Sequence, residues 1–228
     1  MMKIKNLFDG DLPKLVVFDL DGTLIDSVPD ITVAIDKMLT SRGYSAAGEE
    51  NVRNWVGNGA KTLVKRALRY ANVESDPGQP EFDEAFDAYQ AFYKEKYCER
   101  STVYQGVKET LDAFKAQQIP MAVATNKGKH LAQPILEAIG LAPYFETVIG
   151  GDCLPRRKPH PDALLHIAEL LGVAPEQSLM VGDSKNDVGA ARAAGYKVVC
   201  YKHGYNYGED VALVAPDLLF DQMDEIVS

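Results

Sequence analysis

Apolar residues follow two different patterns along this chain, and the change falls near residue 101. The run Leu15-Val-Val-Phe18 is continuous and apolar, too short to cross a membrane, and ends in Asp19-Leu-Asp-Gly-Thr23. Such a run predicts a parallel strand buried on both faces. Ser27-Val-Pro-Asp30 then reads as a helix start, with Ile31, Ala34, Ile35, Met38 and Leu39 at helical spacing before Gly43. Leu63, Val64, Ala67, Leu68 and Ala71 predict a second helix, and Asp76-Pro-Gly-Gln-Pro80 a loop. Phe82, Ala85, Phe86, Tyr89, Phe92 and Tyr93 form one aromatic stripe, which reads as core and not as a cofactor site. Residues from about 27 to 97 are therefore expected to be all-helical.

Beyond that point strands and helices alternate. Strands are expected at Met121-Ala124, Thr147-Ile149, Ser178-Val181, Lys197-Tyr201 and, more faintly, Asp217-Phe220. Helices between them hold Leu131, Ile135, Leu136 and Ile139, then Leu164, Leu165, Ala168 and Leu171, then Ala190, Ala191 and Ala194. Gly140, Gly172 and Gly195 stand where a helix would end in the left-handed conformation. Alternation of this kind predicts an α/β fold with a doubly wound parallel sheet. The helical stretch is then an insertion after the first strand. The expected division is a core of residues 1–26 and 98–228 with a helical cap of residues 27–97.

Composition narrows the function classes. A net charge of −9 argues against general nucleic-acid binding, which relies on basic surface. It leaves room for a small anionic ligand, because a few local cations or a metal reverse the field in a cleft. No segment approaches the length of a membrane helix, and the start of the chain lacks the apolar region of a signal peptide. Cys98, Cys153 and Cys200 have no metal-ligand spacing and read as reduced thiols of a cytoplasmic protein, small and buried. The acidic surface favours a monomer over a weak homodimer.

Four strand ends carry polar clusters, which stability alone would not require. Ligands in open α/β sheets bind outside the carboxyl ends of strands. Asp19 and Asp21 arrive there together, so one can attack as a nucleophile and the other can move protons. Thr125-Asn126 offers a hydroxyl and an amide to an anion, with positive potential from Lys127 and the following helix start. Arg156-Arg-Lys-Pro-His-Pro161 holds Lys158 in a stiff loop, where a fixed ammonium serves an approaching nucleophile and phosphate; His160 reads as structural. Asp183, in Gly182-Asp-Ser-Lys-Asn-Asp187, suits a hard cation such as Mg²⁺. Asp187 is either a second ligand or a group that orients Lys158.

In that order, Asp19-Leu-Asp-Gly-Thr23, Thr125-Asn126, Lys158 and Gly182-Asp-Ser-Lys-Asn-Asp187 resemble the four motifs of the haloacid dehalogenase superfamily. The resemblance spans nearly the whole chain and implies a Rossmann-like core with an inserted helical cap. It implies Asp19 as nucleophile and Asp21 as general acid/base. Thr125, Asn126 and Lys158 would bind the phosphoryl group. Mg²⁺ would be held by Asp19, the Asp21 main-chain carbonyl and Asp183, with Asp187 in support. An aspartate at position 21 matches the phosphotransferases of the superfamily and not its dehalogenases.

Asn54-Trp-Val-Gly-Asn-Gly-Ala-Lys61, Val148-Ile-Gly-Gly-Asp152 and Gly204-Tyr-Asn-Tyr-Gly-Glu209 resemble segments of bacterial phosphoglycolate phosphatases. That likeness implies a small phosphorylated metabolite, 2-phosphoglycolate, with cap contacts from Gly57, Asn58 and Lys61. Lys61 reads equally as a solvated helix lysine, Trp55 as cap core, and Tyr205 and Tyr207 as packing for an edge loop. Two alternatives stay open: a β-phosphoglucomutase-like or broad sugar-phosphate activity, and a non-catalytic interaction module.

Overall fold

The computed structural model describes residues 3–228. Strand β1, Leu15–Phe18, is buried on both faces, as its unbroken apolar run requires. It lies at the centre of the sheet, paired in parallel with β4 (Met121–Ala124) on one side and β6 (Ser178–Gly182) on the other. Strand β5 (Thr147–Ile149) extends one edge; β7 (Lys197–Tyr201) and β8 (Leu218–Phe220) extend the other. The order is β5-β4-β1-β6-β7-β8, and every pairing is parallel. The expected doubly wound sheet is present, with strand limits within one residue of those read from the sequence.

Alternate side chains of β1 serve two cores. Val16 and Phe18 join the core continuous with the helices that follow β1, whereas Leu15 and Val17 face the helices on the other side. Helices α5 (Val107–Ala116) and α6 (Lys129–Ala138) lie in the core of Val16 and Phe18, and α7 (Asp162–Leu171) and α8 (Lys185–Ala194) in that of Leu15 and Val17. Gly172 and Gly195 cap α7 and α8 with φ of 66° and 84°, and Gly140 follows α6 with φ of 72°, as the pattern predicted.

Between β2 (Ile25–Asp26) and β3 (Thr102–Val103), an antiparallel pair, the chain is helical. It forms α1 (Val28–Ser41), α2 (Gly48–Arg53), α3 (Ala60–Tyr70) and α4 (Pro80–Lys96). The pair β2–β3 escapes sequence reading because two-residue strands have no period. Helix α2 escapes it because Val52 is its one buried residue. Helix α5 carries buried Val107, Leu111 and Phe114 at helical spacing, ahead of the strands and helices named from the sequence.

One further expectation needs correction. Of the three free cysteines only Cys200 is buried; Cys98 is half-buried and Cys153 exposed. The stripe on α4 is core as expected, with Phe82, Ala85, Tyr89 and Tyr93 buried, and Phe86, Tyr89 and Tyr93 also line a cavity above the sheet. Among the described residues no helix is long and apolar enough to cross a membrane.

Candidate active site

Parallel register places the polar residues that follow β4, β1 and β6 side by side. Phe18 is level with both Val123 and Val181, so Thr125, Asp19 and Asp183 emerge at one end of three adjacent strands. Lys158 comes from the loop before α7 and is itself buried. Its ammonium lies 3.0 Å from Asp19 Oδ1 and 2.6 Å from Asp187 Oδ1.

Asp19 is held by one oxygen and free at the other. Oδ1 accepts from the Leu20 N–H at 2.7 Å and faces Lys158. Oδ2 accepts no hydrogen bond among the described residues. Burial pushes the Asp19 carboxyl up to about 7, against the pull of Lys158 and with a further push from Asp187 and Asp21. Burial, then Asp187 and Asp19, hold Asp183 well above the usual carboxylate range. Burial alone would lower Lys158, but Asp187 and Asp19 outweigh it and hold it above its ordinary value.

Carboxylate oxygens of Asp19, Asp183 and Asp187 lie within 4.8 Å of one another. Three carboxylates face one ammonium in a buried site, so the cluster is short of positive charge. An all-oxygen donor set of this kind fits a hard divalent cation. Asp183 is fixed by Thr23 Oγ1 at 2.8 Å and by the Tyr205 N–H. Asp187 already accepts from Lys158, from Ser184 Oγ at 2.7 Å, and from the N–H groups of Asp183 and Ser184. Asp187 thus takes four donors against two on Asp183, which leaves Asp183 the freer for a cation and Asp187 as the group that orients Lys158 and caps α8.

Asp21 faces the cavity with a different set of partners. Ser27 Oγ donates to Oδ1 at 2.6 Å, and Lys127 Nζ reaches both oxygens at 2.9 Å. Ser27, the first residue of the helix start read from the sequence, makes no side-chain cap bond to α1 and serves Asp21 instead. The Asp21 main-chain carbonyl accepts no hydrogen bond among the described residues.

Thr125 and Asn126 differ in what they leave available. Thr125 Oγ1 accepts from the Lys127 N–H at 3.1 Å, so its own proton is free for a ligand. The Asn126 amide, expected to face an anion, instead donates to the Gly57 carbonyl at 2.9 Å and the Lys158 carbonyl at 3.0 Å. Asn126 Oδ1 is left buried without a partner. Asn126 therefore braces three loops, and its main-chain N–H, with no acceptor among the described residues, is what remains for a ligand.

Above the sheet, the loop 54–59 meets the core at Gly57. Its carbonyl accepts from Asn126 and also from Asn186 Nδ2, at 3.1 Å. Asn186 donates to Tyr207 Oη at 2.6 Å, and Arg66 of α3 lies 5.2 Å from the Tyr207 ring centroid. Asn58 is turned away into a bond with Arg66 at 2.9 Å, and Lys61 is exposed, 6.0 Å from the Phe86 ring centroid. Of the three expected cap contacts, Gly57 and Lys61 line the cavity and Asn58 does not. His160 is exposed in a turn, and Trp55 packs against the core and Tyr70, as expected.

Tyr205 and Tyr207 do more than pack an edge loop. The Tyr205 N–H fixes Asp183 while its hydroxyl engages Asp26 and the Val28 N–H, where the chain enters α1. Gly204 is needed for this approach, since a Cβ there would lie 2.2 Å from Asp183 Cβ. The signal for both tyrosines was the polar, glycine-bounded segment after a strand end, the same context that exposed the other motifs. Thr23, Ser27, Asn186 and Lys127 were legible only as neighbours of those motifs.

Gly57 has φ of +119°, and a Cβ on it would lie 2.5 Å from the Tyr207 hydroxyl that Asn186 holds. Gly57→Ala is expected to loosen this junction, raising KM about tenfold and costing about 1–2 kcal/mol of stability. Steady-state kinetics beside thermal unfolding check it; an unchanged KM with lowered stability would make the junction structural only.

A family model of the haloacid dehalogenase-like hydrolases matches residues 13–195. A phosphoglycolate phosphatase of Nitrosococcus oceani is 44% identical over 94% of this chain and 95% of its own length. One of Pseudomonas fluorescens is 44% identical over 100% of this chain and 83% of its own. The crystal structure of a predicted phosphoglycolate phosphatase from Haemophilus somnus superposes with a TM-score of 0.89 at 41% identity, covering 94% of this chain and 96% of that one.

Proposed function

The chain belongs to the haloacid dehalogenase-like hydrolases, and from that premise we propose that it hydrolyses 2-phosphoglycolate to glycolate and phosphate through an aspartyl-phosphate on Asp19. The observation that carries this reading is the Asp19 carboxylate, pinned by Oδ1 and free at Oδ2, in a cavity that Asp21 and Thr125 also line. Residues 27–97 act as a cap that closes the site from water and reads the leaving group. The cavity is about 270 Å³, at the small end for ligand sites, in keeping with a leaving group as small as glycolate.

Each residue has a task its surroundings support. Lys158, the Thr125 hydroxyl and the Asn126 N–H hold the phosphoryl oxygens. Asp19 Oδ2 attacks phosphorus while the bond to the leaving oxygen breaks, and Asp21 gives that oxygen a proton. Asp21, now a carboxylate, takes a proton from water as the water oxygen bonds to phosphorus. The bond between the Asp19 oxygen and phosphorus breaks, and phosphate leaves with Asp19 again a carboxylate and Asp21 again carrying the proton it donates. Positioning and fixed charge are the main devices in such transfers. Mg²⁺ would be held by Asp19, the Asp21 carbonyl and Asp183, with Asp187 in support, and would supply the positive charge that the nucleophile and phosphate together require. The protein works as a monomer in the cytoplasm, in keeping with its net charge of −9 and its unpaired thiols.

Metal removal has an expected signature in stability. Raised carboxyls at Asp19 and Asp183 mean that the folded metal-free chain keeps protons which the unfolded chain gives up near pH 4. Their stability contribution is complete below that pH and is lost as pH rises through about 7 for Asp19. In chelator, this pair is expected to lower Tm between about pH 5 and pH 7.5, and Mg²⁺ to raise Tm more at the higher pH. An equal shift at both would place the cation elsewhere.

The substrate assignment is tested by phosphate release from 2-phosphoglycolate, 3-phosphoglycerate, glucose phosphates and pyrophosphate, with Mg²⁺ and with chelator. A metal-dependent preference for 2-phosphoglycolate of about a hundredfold, roughly 2.7 kcal/mol, supports the assignment. A flat profile would leave a broad phosphatase, and no release at all would favour an interaction module.

A further inference from the structure

The part of the cavity beyond Asp21 holds one nearly buried cation that the phosphoryl group itself does not need. Lys127 has a side chain only 7% exposed, yet it lines the cavity, with its ammonium on Asp21 and 5.1 Å from the Tyr93 ring centroid. An ammonium has three protons to donate, and the contacts to Asp21 leave capacity for another acceptor. Around it the lining is mainly apolar, from Ile31, Leu63 and Phe86. The other lining cations are less suited: Lys61 is exposed, and Arg157 donates to the Gly151 carbonyl at 2.6 Å. Tyr89 is buried in the cavity wall, stacked on Tyr93 with centroids 5.8 Å apart, and its hydroxyl has no hydrogen-bond partner among the described residues. Burial keeps that phenol protonated and therefore a donor.

We infer that Lys127 and Tyr89 form the subsite for an anionic group on the leaving alcohol, and so determine specificity. This deepens the 2-phosphoglycolate reading and rests on it. Asp21 must reach the leaving oxygen, and the ammonium of Lys127 is in contact with Asp21. A carboxylate carried on the carbon next to that oxygen therefore falls within reach of Lys127. Longer alcohols would carry their charge past it, and uncharged ones would leave the buried cation without a second anion. Lys127 thus binds substrate and also positions Asp21.

The test compares 2-phosphoglycolate with 2-hydroxyethyl phosphate, which replaces the carboxylate by a hydroxymethyl group, on the Mg²⁺-loaded enzyme. Wild type is expected to prefer 2-phosphoglycolate. In Lys127→Met the ratio of the two kcat/KM values falls at least about tenfold, on top of a loss common to both substrates from Asp21. Lys127→Arg keeps most of the ratio. Tyr89→Phe, which leaves Asp21 untouched, lowers the ratio about threefold through KM for 2-phosphoglycolate alone. Equal losses on both substrates in Lys127→Met, with no selective loss in Tyr89→Phe, would overturn the inference and leave Lys127 as a support for Asp21. A wild type with no preference would instead overturn the substrate reading beneath it.

Discussion

Asp19→Asn is expected to lower kcat on any phosphomonoester by about ten thousandfold or more, a loss of about 5 kcal/mol of transition-state stabilisation. The carboxamide cannot form the acyl phosphate, and no neighbouring oxygen can replace it, since Asp183 and Asp187 are held by donors on both their oxygens. The fold should survive, because the change removes one of three carboxylates from a buried cluster that is short of positive charge. In chelator its Tm should equal or exceed that of wild type. Lost activity with a fallen Tm would instead mark Asp19 as structural.

Lys158→Met is expected to cost both activity and stability. Lys158 is 2% exposed and Asp187 fully buried, so deleting the ammonium leaves uncompensated charge inside the protein. Breaking such a pair costs about 3–5 kcal/mol, a large part of a typical domain's stability. The double variant Lys158→Met/Asp187→Asn removes both charges and should regain part of the stability with none of the activity. Urea unfolding and phosphate release measure the two effects separately. If the double variant is as unstable as the sum of two independent losses, the pair does not act as a unit.

The central strands were legible because their apolar runs are unbroken and their ends abruptly polar. Asp19, Asp21 and Asp183 stand out as candidates by that contrast, and Lys158 by its proline-bounded loop. What the sequence concealed depends on side chains meeting across long separations. Ser27 reads as part of a helix start until Asp21 is seen beside it, and Asn126 looks like an anion donor until Gly57 claims its amide. Tyr205 joins Asp183 to the entry of α1 through one N–H and one hydroxyl, contacts that no periodicity encodes. The stripe on α4 was read as core because helical spacing reports which face is apolar, not whether that face also borders a cavity. Lys127 was visible as charge near a strand end, but its bond to Asp21 spans 106 positions of sequence.

The measurement that bears most directly on the account is phosphoryl trapping on Asp21→Asn. With p-nitrophenyl phosphate the leaving group needs little protonation, so Asp19 should still be phosphorylated. Water, however, has lost its base, and the intermediate should accumulate. Acid quench and peptide mass analysis are expected to find close to one phosphoryl group per chain, on Asp19. Release of p-nitrophenol with no phosphoryl group on the chain, or with the group on another residue, would contradict the assignment of Asp19 as nucleophile.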